Sequence, residues 1–128
     1  MAPVLLDTQA FLHIRMNHPA LPERVRRLYA DPAQMIYLSV ASVWEITIKL
    51  SLKKLNISGR LRDFIESADR LAIQTLLITR DHVLGVEKLA FHHRDPFDRL
   101  LVAQCKFEKL DIVSADESFD DYGVRRIW

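Results

Sequence analysis

Pro3-Val4-Leu5-Leu6-Asp7-Thr8 opens the chain with a short apolar run that stops abruptly at an aspartate and a threonine. An uninterrupted aliphatic run of this length predicts a buried strand whose carboxyl end delivers Asp7. Open parallel sheets bind ligands beyond the carboxyl ends of their strands, so Asp7 would stand on such a rim. The same pattern returns late in the chain. Asp111 to Ser114 predicts another strand, and its end delivers Ala115-Asp116 as Leu6 delivers Asp7.

Between these strands the pattern alternates. Thr8 to Met16 predicts a helix carrying Phe11, Leu12 and Ile14, stopped by Asn17-His18-Pro19, and Pro22 to Ala30 predicts a second with Val25, Leu28 and Tyr29 on one side. The two are expected to lie as an antiparallel pair. Met35 to Val40 is the next strand, and Ser39 or Ser42 caps the following helix, which runs to about Leu52. That helix is apolar on two sides, with Val43, Ile46 and Leu50 on one and Trp44, Ile48 and Leu52 towards the other. Such a helix is deeply buried or binds a partner. Glu45 lies on it four residues before Lys49, a spacing that favours an ion pair. After a loop over Lys53 to Gly59, helical spacing resumes from Leu61 to Leu71, and Ala72 to Ile78 predicts a third strand. Thr79 then caps a helix over Asp81 to Leu89, with Val83, Leu84, Val86 and Leu89 expected inward and Gly85 a mild weakness.

His93-Arg94-Asp95-Pro96-Phe97-Asp98-Arg99-Leu100-Leu101-Val102-Ala103 starts the last long helix, expected from Pro96 to about Lys109. Asp95 suits the N-cap and Pro96 the first helical position, which places Asp98 inside the first turn. Phe97, Leu100, Leu101 and Ala103 draw the helix into the core, so Asp98 is expected where the core meets a cleft. Val124 to Trp128 predicts a final short strand. Strands alternating with helices predict an α/β fold, layered αβα, around a central mainly parallel sheet. Right-handed crossovers gather the strand ends on one rim, where Asp7, Asp98 and Asp116 would meet.

With 128 residues, the chain is expected to form a single domain over residues 1–128. Lys and Arg number 18 against 17 Asp and Glu, which excludes the global positive field of many duplex-DNA binders. No run of about 18 apolar residues suggests a membrane span, and Asp7 interrupts the only stretch resembling a secretory signal, so a cytoplasmic location is expected. The single Cys105 has no partner for an internal disulfide and is expected to act as a small buried hydrophobe.

Carboxylates gathered on one concave rim repel one another unless protons or a cation compensate. The candidates are Asp7, Asp98 and Asp116, with Glu45 on its largely apolar helix. Oxygen donors without a Cys or His grouping of zinc spacing favour Mg²⁺ or Mn²⁺ over Zn²⁺. One such ion, or two about 3.5 to 4 Å apart, suits hydrolysis of a phosphodiester. Asp7 and Asp98 are the strongest ligand candidates and Asp116 supports them. For Glu45 three roles stay open: ligand to a second ion, holder of a water, or base.

Val4-Leu5-Leu6-Asp7-Thr8, Ser42-Val43-Trp44-Glu45-Ile46 with Lys49-Leu50, Asp95 to Gln104, and Ser114-Ala115-Asp116-Glu117-Ser118-Phe119 together resemble PIN-domain ribonucleases, and more narrowly VapC-type toxins of bacterial toxin–antitoxin pairs. The resemblance covers almost the whole chain, and Asp-Pro-Phe-Asp-Arg is its most particular part. It implies a three-layer PIN-like fold and Mg²⁺- or Mn²⁺-dependent endonuclease cleavage of RNA, with an acidic quartet of Asp7, Glu45, Asp98 and Asp116. Asp95 is then the cap or an outer ligand, and Asp120 is an alternative to Asp116 at the fourth acidic position. It also implies a cognate antitoxin lying across the acidic groove, and a homodimer or a hetero-oligomer with that antitoxin.

Other readings of the residues stay open beside this one. Thr8 and Ser114 suit either a ligand contact or local backbone bonding. Arg94 and Arg99 suit RNA phosphates or charge balance on the acidic rim. His92-His93 is taken as loop polarity or a substrate contact rather than a metal site. An aspartyl phosphatase wants an acidic residue two positions after its first aspartate, where this chain has Gln9. A non-catalytic binding or regulatory module of the same fold is the remaining alternative.

Overall fold

The computed structural model describes residues 1–128 and explains why the opening strand lacks polar alternation. Five short strands, β1 (Val4–Leu6), β2 (Ile36–Ser39), β3 (Ile73–Leu76), β4 (Asp111–Val113) and β5 (Arg126–Ile127), pair in parallel throughout in the order β3-β2-β1-β4-β5. β1 is central, with Leu6 opposite Leu38 on one side and Val113 on the other. Its side chains alternate between the two faces. Val4 and Leu6 enter one core with Phe11, Ile14, Val25 and Phe64, while Leu5 enters a second core with Leu101, Val102, Cys105 and Phe119. A strand covered on both faces has no reason to alternate with polar residues.

Six α-helices supply the covering layers: α1 (Thr8–Arg15), α2 (Glu23–Ala30), α3 (Val40–Ser51), α4 (Leu61–Glu66), α5 (Arg80–Val86) and α6 (Pro96–Glu108). Short 3₁₀ segments follow at Ser67–Leu71 and Glu117–Tyr122. Thus the segment expected as one helix from Leu61 to Leu71 tightens after Glu66, and left-handed Ala72 (φ 55°) turns the chain into β3. The two-sided character of α3 also finds its cause. Ala41 belongs to the core beneath α6 and Ile46 to the core beneath α1, so α3 spans both. Trp44 remains 59% exposed, its ring edge-on to Phe97 at 5.2 Å.

One helix face differs from expectation. On α5, Val83 and Leu84 point to solvent, and the inward stripe is His82, Gly85 and Val86, continued by Leu89 in the turn that follows, at i, i+3, i+4, i+7 spacing. His82 is buried because its ring is satisfied. Nδ1 accepts the Thr79 N–H (3.1 Å) in a capping box, and Nε2 donates to Glu108 (3.0 Å). Gly85 faces α6, where a Cβ would meet the Ala103 Cβ at 3.6 Å.

The strand order sets the position of the site. From β1 the chain steps outward through β2 to β3, then returns to place β4 and β5 on the other side of β1. The reversal leaves a crevice beyond the carboxyl ends of β1 and β4, where open α/β sheets bind ligands. Asp7 follows β1 there, and Ser114 to Asp116 follow β4.

Candidate functional site

Asp7, Glu45, Asp98 and Asp116, which come from four separate parts of the chain, line a single cleft of about 390 Å³ over this crevice, together with Thr8, Lys49, Asp95 and Trp128. Each carboxylate is placed by local backbone chemistry. Asp7 is the N-cap of α1: Oδ1 accepts the Ala10 N–H at 2.7 Å, and Oδ2 accepts the Ser114 hydroxyl. Ser114 also accepts the Asp116 N–H at 2.9 Å, so one buried hydroxyl joins the ends of β1 and β4. Thr8 donates to Ser42 at 3.0 Å and ties α1 to α3. One turn further along α3, Glu45 pairs with Lys49 at 3.1 Å.

At the mouth of α6, Asp95 and Asp98 divide the work as their positions predict. Asp95 Oδ1 accepts the backbone N–H groups of Phe97 (2.8 Å) and Asp98 (3.0 Å). Asp98 is thereby free to turn its side chain towards the cleft, where Oδ2 lies 3.1 Å from His93 Nε2. The same nitrogen is 3.2 Å from Asp116 Oδ2, and Asp116 Oδ1 caps the following 3₁₀ turn at Ser118 (2.9 Å).

The electrostatics match this crowding. Burial pushes the Asp7 carboxyl up to about 6, against the hydrogen bonds from Ser114 and Ala10, and nearby Asp116 and Glu45 push it the same way. Burial likewise raises Asp98 to about 7, helped by Asp95, Asp7 and Glu45 and opposed by His93. Asp116 goes the other way. Burial would raise it, but the Ser118 hydrogen bonds and His93 outweigh that and hold it below the usual carboxylate range.

A family model described as the PIN domain matches residues 4–124. This chain belongs to the PIN domain family. Among solved structures, the PIN domain described here is similar to a chain of FitAcB from Neisseria gonorrhoeae, at 19% identity and a TM-score of 0.67 over 98% of this chain and 96% of that one. It is similar to a chain of DNA-bound VapBC from Salmonella typhimurium, at 14% identity and 0.71 over 99% and 98%. A chain of VapBC2 from Rickettsia felis, bound to a fragment of its promoter, gives 13% identity and 0.70 over 97% and 96%. No curated protein matches the sequence.

In this PIN domain two expected substitutes and contacts go elsewhere. Asp120 faces away from the cleft in a forked pair with Arg126, at 3.0 and 3.2 Å, so it does not replace Asp116. Arg99 is buried and donates to the carbonyls of Ala90 (2.8 Å), Val86 (3.3 Å) and Leu89 (3.4 Å) and to the Tyr122 hydroxyl (3.3 Å). It secures the end of α5 and the loop after it, and neither holds a phosphate nor balances the rim. Cys105 is buried as expected, and burial pushes its thiol up to about 12. His93 is the residue that sequence reasoning passed over. Its only signal was adjacency to Asp95, because the approach of Asp116 depends on the folded sheet.

The donor set fits a hard divalent cation. Four carboxylates face one cleft, two of them with strongly raised proton affinity, and such a set is relieved by protons or by a cation held through oxygen.

Proposed function

We propose that the chain is a metal-dependent endoribonuclease that hydrolyses phosphodiester bonds in RNA and acts as the toxin of a type II toxin–antitoxin pair in the cytoplasm. Residues 1–128 would form its single nuclease domain. The observation that carries the reading is the convergence of Asp7, Glu45, Asp98 and Asp116 on one cleft at the sheet's switch point. Asp7, Asp98 and Asp116, with Glu45, would hold Mg²⁺ or Mn²⁺. A divalent cation supplies charge neutralisation at a phosphoryl oxygen and makes a water more acidic. The chain's own part is to fix these oxygens before substrate arrives. Ser114 and the Ala10 N–H orient Asp7, while Asp95 aims Asp98 by taking over the capping of α6. Glu45, backed by Lys49, closes the α3 side of the cleft.

Similarity in fold to chains solved within VapBC and FitAB complexes supports an antitoxin partner. An antitoxin segment presenting a basic side chain to this cleft would compensate the same carboxylates as a cation. Trp44, Val83 and Leu84 are exposed apolar side chains on the α3 and α5 side, which suits a homodimer or a hetero-oligomer with the antitoxin. The reading is tested by incubating the purified chain, free of partners, with single-stranded RNA, the equivalent DNA and a small phosphomonoester, each with Mg²⁺ or with chelator. Cation-dependent cuts within RNA are expected. Phosphate release from the monoester alone, or no reaction with any substrate, would overturn it.

A further inference from the structure

His93 sits between two of the proposed ligands and invites reading as a third, since its Nε2 and one oxygen each of Asp98 and Asp116 all lie within 4.8 Å of one another. The hydrogen bonds around the ring argue otherwise. Nδ1 accepts the backbone N–H of Asp95 at 3.0 Å, so in this geometry that nitrogen carries no proton. The proton of the neutral ring must then be on Nε2, an assignment made from the hydrogen-bond network. A protonated Nε2 has no lone pair for a metal. It is a donor: Asp116 Oδ2 accepts from it at 3.2 Å, and Asp98 Oδ2 lies close beside at 3.1 Å.

We propose that His93 is a positioning residue, which donates its Nε2–H to Asp116 with Asp98 close beside that bond, and stays outside the ligand set. Its own position is fixed from behind. The His93 N–H donates to the hydroxyl of buried Tyr122 (2.8 Å), which also accepts from buried Arg99 (3.3 Å), and the ring lies against Phe119. Asp98 begins a helix and Asp116 follows a strand, so no backbone bond joins them; the imidazole, bonded to Asp116 and 3.1 Å from Asp98, spans the gap. Asp98 meets the ring only through Oδ2. Asp116 has both oxygens engaged, one by His93 and one by Ser118, and so is the more weakly available donor. The ligand atoms on offer stay all-oxygen, which keeps the preference on hard cations; a histidine ligand would move it towards Zn²⁺.

This inference rests on the divalent-cation reading, and two measurements separate them. Imidazole ¹⁵N spectra of the metal-free and Mg²⁺-loaded protein are expected to show the His93 proton on Nε2 in both. A proton on Nδ1, or loss of the Nε2 proton when Mg²⁺ is added, would overturn the assignment. Calorimetric titration with Mn²⁺ is expected to show binding weakened about tenfold in His93→Ala, the scale of losing a support behind a ligand. His93→Gln, whose amide reaches to near the same place, should recover most of the loss. Wild-type affinity in His93→Ala, or no recovery in His93→Gln, would overturn the positioning role. Wild-type protein that binds no divalent cation would instead overturn the functional reading, and the metal-free spectrum would still decide where the proton sits.

Discussion

Replacing Asp98 by asparagine is expected to stabilise the metal-free protein while abolishing its chemistry. Folding moves the Asp98 carboxyl from its ordinary 3.8 to about 7, chiefly by burial and by the charges of Asp95, Asp7 and Glu45. A group whose proton affinity rises on folding favours the folded state at low pH, and that advantage is lost as pH rises through the folded value. At about 1.4 kcal/mol per tenfold change, the full shift sets an upper bound of about 4 kcal/mol at pH 8. The side chain keeps 23% exposure, so solvent screening reduces this to about 2 kcal/mol. Asparagine is nearly isosteric and carries no charge at any pH. Urea denaturation in chelator should therefore show a gain for Asp98→Asn of about 2 kcal/mol at pH 8, shrinking towards pH 4. Saturating Mg²⁺ should reverse the order, since only the wild type gains from the ion. A variant less stable than wild type at pH 8, or a gain independent of pH, would refute the claim that the site is held under electrostatic strain.

Mg²⁺ affinity should rise steeply between pH 5 and 8, because Asp7 and Asp98 must lose their protons near 6 and 7 to serve as ligands; calorimetry at a series of pH values checks this. Ser114→Ala removes a donor that lowers the Asp7 value, so the acid limb of the cleavage profile should move to higher pH, with a stability loss of about 1 to 3 kcal/mol by denaturation. Arg99→Lys gives up the fork that reaches three carbonyls and a hydroxyl, and should lower the thermal midpoint by several degrees without becoming an RNA-affinity defect. Gly85→Ala should raise stability by about 0.5 to 1 kcal/mol, since the added methyl makes ordinary contact with Ala103 and the helix loses its least favourable residue.

Much of the fold was legible because the central strands carry their own explanation. Val4-Leu5-Leu6 and Ile112-Val113 are apolar without alternation because they lie side by side in the middle of a sheet covered on both faces. The division between Asp95 and Asp98 was legible for a similar reason, since capping depends on neighbours in sequence. What escaped depends on contacts between distant segments. Val83 and Leu84 look like core residues by type, yet His82 takes the inward place because Thr79 and Glu108 satisfy its ring. Arg99 looks like a rim cation until the carbonyls at the end of α5 fold over it. Asp120 and Asp116 are indistinguishable by spacing alone, and only the forked pair with Arg126 separates them. The role of His93 is invisible without Asp116, 23 residues away in sequence.

The central claim is that the acidic cleft cuts RNA, and the initial rate of RNA cleavage at fixed Mg²⁺ by wild-type, Asp7→Asn and Asp98→Asn proteins tests it most directly. Each variant is first verified as folded by its denaturation curve. Cleavage by the wild type that chelator stops, with both variants reduced at least about a hundredfold, is the predicted result. Equal cleavage by all three folded proteins would contradict the account.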